Sequence, residues 1–429
     1  MADTVTAAPP AAAVGMQKPS ATGSGRPHFP ALDGFRGIAA IIVLISHVGY
    51  ESGFSIRTAW GAPIMRMDIG VTLFFVLSGF LLYRPYAAWH AGQGRQPRTG
   101  RFLWARALRI FPAYWVMLTV VVLTIHQHDV TPKILTLSYL LLQTYEPSVI
   151  LDAIGHTWTL CTEISWYVFL PVLALVLFRP SRRSARAQVR IELAVVALFI
   201  VTGLVYGALV RGTTLINPYV GGYWLPHFLG WFGAGMGLAV LSVHNGTRIA
   251  AGFRALAAAP GTCWLAAAAV YALACTPITG PRLLVALNVW EGLAREVLYL
   301  TAALLFLLPG VLGDANSAIN RALAKPAGVF LGNISYSIYL WHFPMMKMVF
   351  RWTDTPAFGG RFLLNLGVLC VVTLVLATLS WYVVEKPALS LKSWRPPRRI
   401  TAPLADPVRA WVARHRGPRA LRLARRPAP

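Results

Sequence analysis

At 429 residues, 56% hydrophobic and only 13% charged, with a mean hydropathy of +0.57, the chain is too apolar for a soluble multidomain protein and reads as a polytopic membrane protein. Its formal net charge of +24 would suggest a nucleic-acid partner in a soluble chain, but here Lys and Arg lie between apolar runs and in the C-terminal stretch. That is the pattern of cytoplasmic loops facing anionic lipid headgroups, and nucleic acid is set aside as a partner. Cys161, Cys263, Cys275 and Cys370 fall within or beside apolar runs without ligand-like spacing, which argues against a disulfide framework or a zinc site.

In chain order, residues 1–31 are rich in Ala, Pro, Gly and Ser with no apolar core, and are expected to be a disordered cytoplasmic lead. Apolar runs follow at roughly 35–54, 68–86, 109–127, 156–178, 191–210, 221–243, 256–276, 294–312, 327–350 and 362–384, each long enough to cross a bilayer. A further run, 134–145, spans only about a dozen residues and reads as a re-entrant or interfacial segment. If it does not cross, the arginines of 179–190 fall inside, as do Arg248, Arg254, Arg321 and the basic tail; if it crosses, that first cluster is thrown outside. The connection holding Arg351 and Arg361 fits the rule less well. The expectation is an all-α, polytopic membrane helix bundle with ten transmembrane helices and both termini cytoplasmic. Its membrane domain covers 32–387, followed by a basic, largely disordered cytoplasmic tail over 388–429.

Several polar residues lie where lipid would exclude them. In Leu32-Asp-Gly-Phe-Arg-Gly-Ile-Ala-Ala-Ile-Ile-Val-Leu-Ile-Ser-His47, Arg36 and His47 are eleven residues apart, roughly three helical turns, so they share a face about 16 Å apart. With Arg36 at an interface, His47 lies near mid-membrane, where an ionisable group marks function or a buried polar partner. Arg106 and Arg109 are at i and i+3, two guanidinium forks on one face that suit a phosphate-rich ligand, although basic residues at a cytoplasmic helix end also obey the positive-inside rule. His156 and Glu163 are seven apart and return to nearly one face, so the pair could act as a base and its orienter. Leu331-Gly-Asn-Ile-Ser-Tyr-Ser-Ile-Tyr-Leu-Trp-His342 carries hydroxyls, aromatics and a histidine, residues that also serve as interface anchors. Ser78-Gly79 reads as a close helix contact rather than a nucleophile site.

Together these residues resemble the integral membrane acyltransferases called acyltransferase family 3. The carriers are Leu32-Asp-Gly-Phe-Arg-Gly with His47, Phe74-Phe-Val-Leu-Ser-Gly-Phe80, Arg106-x-x-Arg109, His156-Thr-Trp-Thr-Leu with Glu163, Asn333 to His342, and Trp381-Tyr-Val-Val-Glu385-Lys-Pro387. Where members often carry two consecutive carboxylates, this chain has Thr162-Glu163 and keeps only the second. The resemblance implies a bacterial cell-membrane O-acyltransferase with no permanently bound cofactor, taking an acyl group, acetyl or short-chain, from acyl-CoA to a hydroxyl of a sugar-containing acceptor. In that reading Arg36, Arg106 and Arg109 hold the CoA phosphates, His47 is the general base, Glu163 and His156 support it, and Trp158, Tyr336 and His342 contact substrate. A proton-coupled transporter using His47, Glu163 and His342 is the alternative; it leaves the basic inner cluster unexplained.

Overall fold

The computed structural model describes residues 29–393 apart from 126–129, 147–151, 179–183, 245 and 284. The lead over 1–28 and the tail from 394 onward lie outside the described residues. Helices account for the secondary structure described, joined by turns and short 3-10 segments. The principal ones are α1 (Pro30–Glu51), α2 (Gly70–His90), α3 (Thr99–Thr124), α4 (Trp158–Leu177), α5 (Ala185–Gly212), α6 (Leu225–Val243), α7 (Arg248–Ala257), α8 (Pro260–Ala274), α9 (Val289–Leu312), α10 (Pro326–Trp352) and α11 (Phe362–Ser380).

Helix starts follow local chemistry. Proline occupies an opening position of α1, α6, α8 and α10, where its missing N–H costs nothing. Ser184 and Thr247 cap the starts of α5 and α7, and Asn288 with Glu291 forms a reciprocal capping box on α9. The 134–145 run is resolved into an eight-residue helix, Pro132–Tyr139, and a 3-10 turn, Gln143–Tyr145. At 1.5 Å per residue the helix is about 12 Å long, too short to cross.

Among the described residues, eight helical stretches are long and apolar enough to span a membrane, and nine if α7 and α8, bent by 87° at their junction, count as one. The expected count was ten. The remaining shortfall, from ten to nine, lies in α10: it has 27 residues, but Asn333, Ser335, Ser337, His342, Lys347 and Arg351 leave it more polar than the other long helices. That polarity is sheltered, since most of α10 is buried by α1 and α11.

Two glycines permit close helix approaches that bear on the site. A Cβ on Gly332 would stand 2.3 Å from the Asp33 carbonyl oxygen, so only glycine lets α10 meet α1 at this level. On Gly79 it would stand 2.1 Å from the Phe232 carbonyl oxygen, which makes the Ser78-Gly79 pair the expected close contact, here between α2 and α6.

Candidate active site

Close packing of α1 on α10 brings two histidines together. His47 Nδ1 lies 2.8 Å from His342 Nε2, with the rings stacked at 5.1 Å. The proton positions follow from the far end of this chain of contacts. His342 Nδ1 is 2.6 Å from the Tyr339 carbonyl oxygen, which can only accept, so Nδ1 carries the hydrogen and Nε2 the lone pair. His47 Nδ1 must then donate to His342 Nε2. The lone pair of His47 is left on Nε2, the tautomer a general base requires.

His156 completes the cluster from a third direction, with its ring 5.2 Å from that of His342 and stacked at 5.0 Å on Phe343. Both its ring nitrogens are buried without a hydrogen-bond partner among the described residues. Its backbone carbonyl accepts from Tyr339 Oη at 2.8 Å. The expected pairing of His156 with Glu163 is not formed. His156 belongs to the 3-10 segment Asp152–Thr157, which contains a non-helical residue at Ile154, and α4 starts only at Trp158. The seven-residue spacing therefore does not return the two side chains to one face.

Glu163 instead faces a cavity of about 370 Å³, where Arg36, Arg106, Arg109 and Lys392 converge from α1, α3 and the segment after α11. Ser78 Oγ and Tyr167 Oη both donate to Glu163 Oε1, at 2.8 and 2.6 Å. Arg109 is fixed by Glu385 at 3.0 Å and flanked by the rings of Tyr336 and Trp381, each 5.6 Å from its guanidinium carbon. Glu385 also accepts from Ser337, and it closes the π-helical turn Trp381–Glu385, a local widening common at functional sites. Arg106 Nε is buried without a hydrogen-bond partner among the described residues. Four cations line this cavity with Glu163, and one of them, Arg109, is already paired with Glu385, so the lining is net positive.

The structure thus brings Arg36, Arg106, Arg109, Glu163 and Tyr336 to one cavity and His47, His156 and His342 to one cluster. Tyr339 links them: it lines the cavity and bonds to His156 at its hydroxyl and to His342 at its carbonyl. Tyr336 lines the cavity with its hydroxyl spent on the Ile110 carbonyl at 2.8 Å. Trp158 lies elsewhere, packed on Tyr223 and Phe228. Sequence reading missed Tyr167, Lys392 and the role of Ser78. Tyr167 had a readable signal, four residues after Glu163 on the same face. Lys392 had none, falling in a stretch assigned to the basic tail.

The structure is thus a bundle of long apolar helices with a cation-lined cavity beside a cluster of three histidines. The profile of the Acyl_transf_3 family, described as an acyltransferase domain, matches residues 29–384, and the chain belongs to that family. It is therefore an acyltransferase of the multi-pass membrane type. It is 27% identical over 395 residues to Nodulation protein 10 of Rhizobium leguminosarum bv. viciae, covering 86% of this chain and 95% of that protein. It is 26% identical over 382 residues to a Komagataeibacter xylinus protein carried under the name membrane-bound transacylase BcsY, covering 85% of this chain and 84% of that protein. No solved structure matches.

Proposed function

We propose that this protein transfers an acyl group, acetyl or short-chain, from acyl-CoA to a hydroxyl of a sugar-containing acceptor in a bacterial cytoplasmic membrane. The observation that carries the reading is the junction at Tyr339 of a cation-lined cavity with a histidine whose Nε2 is free to accept a proton. Arg36, Arg106 and Arg109 hold the CoA phosphates, and the pantetheine arm extends from them toward His47. Its length is comparable to the roughly 16 Å of helix rise between Arg36 and His47.

His47 Nε2 takes the proton of the acceptor hydroxyl as its oxygen attacks the thioester carbonyl. The tetrahedral intermediate collapses with cleavage of the C–S bond, and the imidazolium returns its proton to the departing CoA sulfur. His342, anchored on the Tyr339 carbonyl, fixes the His47 tautomer, the orienting task first expected of Glu163. Glu163 is then a contact to the donor within the cation cavity. His156 lies beside this pair with two buried ring nitrogens that have no partner among the described residues, and it bonds the acceptor hydroxyl once that enters.

In this reading α10 is the tenth crossing: its 27 residues extend about 40 Å, enough to span, and its polar groups face protein rather than lipid. Ten crossings keep both termini cytoplasmic and the basic cavity on the side where acyl-CoA is made. Incubating the purified protein with labelled acetyl-CoA and candidate glycosides tests the proposal. Acylated glycoside from the wild type and none from folded His47→Ala is the expected result. Full transfer by His47→Ala overturns the base assignment.

A further inference from the structure

One buried side chain stands between the two compartments of the site. The cation-lined cavity is bounded by Tyr339, Phe74 and Thr159 but by none of His47, His156 and His342. The Tyr339 ring lies 5.3 Å from that of His156 and 5.5 Å from that of His342, and it meets Phe74 edge-on at 6.0 Å. It is the wall that cavity and histidine cluster share.

That wall is fastened as well as packed. Tyr339 Oη donates to the His156 carbonyl oxygen at 2.8 Å, and with its one hydrogen spent it accepts from Thr159 Oγ1 at 2.8 Å. Both partners stand where the 3-10 segment Asp152–Thr157 passes into α4, so the hydroxyl is a latch from α10 to α4. The carbonyl that anchors His342 Nδ1 belongs to the Tyr339 backbone and survives any change of the side chain.

Chemistry gives such a wall a task. An imidazole that deprotonates an acceptor hydroxyl also deprotonates water, which is the more abundant nucleophile. Attack by water on the thioester carbonyl breaks the C–S bond, sends the proton by way of His47 to the departing sulfur, and leaves a free carboxylic acid and CoA. A thioester permanently open to His47 would therefore be hydrolysed and the donor wasted. We infer that Tyr339 prevents this: latched to His156 and Thr159, it keeps the thioester in the cation-lined cavity apart from His47, and transfer requires it to swing aside. Because the latch is made to the segment that carries His156, a ligand settling on that histidine acts on the latch itself. Tyr339 is in this sense a specificity-determining residue, selecting the acceptor hydroxyl over water without handling a proton. The inference rests on the proposed acyl transfer at His47, and its test separates the two.

The experiment uses the full-length protein in lipid nanodiscs with labelled acetyl-CoA and no acceptor, reading free acetate and CoA thiol. Tyr339→Phe keeps the ring and removes the latch; it is expected to release acetate about tenfold faster than the wild type, the worth of one or two hydrogen bonds. Tyr339→Ala removes the wall as well and should release acetate faster still. With candidate glycosides present, the ratio of acetate to acylated glycoside should rise in both variants, whereas a purely structural tyrosine would lower both products together and leave the ratio unchanged. Tyr339→Ala/His47→Ala should return hydrolysis to the wild-type level. Hydrolysis that stays high in the double variant removes His47 as the base and leaves the partition standing. The inference is overturned if either single variant, once folded, hydrolyses acetyl-CoA no faster than the wild type, or if the product ratio does not move.

Discussion

Two kinds of buried charge lie within this bundle. Away from the site, Glu296 of α9 accepts from Arg211 of α5 and His227 of α6, each at 2.7 Å, and the other nitrogen of His227 faces the Gly222 carbonyl at 2.7 Å. Where the end of α2 meets the start of α5, His90 pairs with Glu192, whose same oxygen also receives Tyr83 and Gln188; only Glu192 Oε2 is left over. These groups spend nearly all their hydrogen-bonding capacity on one another and fasten three helices. In the site the capacity is held back: among the described residues both ring nitrogens of His156 and Nε of Arg106 are buried without a hydrogen-bond partner. Charge at membrane depth is thus compatible with either role, and unspent hydrogen-bonding capacity beside a cavity separates them.

The contrast predicts opposite phenotypes. His47→Ala should lower the transfer rate by about 10² to 10⁴ while the protein purifies and melts like the wild type, because the lost group acts in the reaction. Glu296→Ala should do the reverse. It strands Arg211 and His227 without their shared counter-ion, at a cost of about 3–5 kcal/mol read as a lower melting temperature in detergent, with the KM for acyl-CoA unchanged in the surviving folded fraction. A Glu296→Ala protein of normal stability and altered KM would mean that its cluster belongs to the catalytic apparatus.

Sequence reading reached the fold further than the site because lipid imposes a simple length rule and a site does not. The apolar runs located every principal membrane helix, and the error at α3, expected from 109 but starting at Thr99, arose because its first turns carry Arg101, Arg106 and Arg109 and so fall outside the apolar run. The short helix α7 was read as a loop for a related reason, its basic residues outweighing a short apolar face. Arg36 and His47 were legible as one face of one helix. His342 as the partner of His47 was not, since it depends on how closely α10 packs on α1, which Gly332 sets and no spacing within either helix encodes. The 3-10 turn that redirected His156 was equally hidden.

Within the donor cavity the effects should be smaller. Arg106→Ala removes a guanidinium whose Nε has no hydrogen-bond partner among the described residues, so stability should change little while acyl-CoA affinity falls about 10- to 100-fold, the worth of one or two charge-assisted hydrogen bonds. Titration calorimetry at two salt concentrations checks this, since a lost phosphate contact also reduces the salt dependence.

Ser78→Ala should give the smallest change, because Tyr167 continues to donate to the same Glu163 oxygen after the serine hydroxyl is gone. A loss of about 1 kcal/mol, or about fivefold in kcat/KM for acyl-CoA, is expected for Ser78→Ala and for Tyr167→Phe alone. The double variant should lose more than the product of the two, since only then is the carboxylate free to swing toward Arg36 or Arg106 and neutralise a cation meant for phosphate. Simple additivity would show that Glu163 is held by its backbone and that the two hydroxyls contact substrate instead.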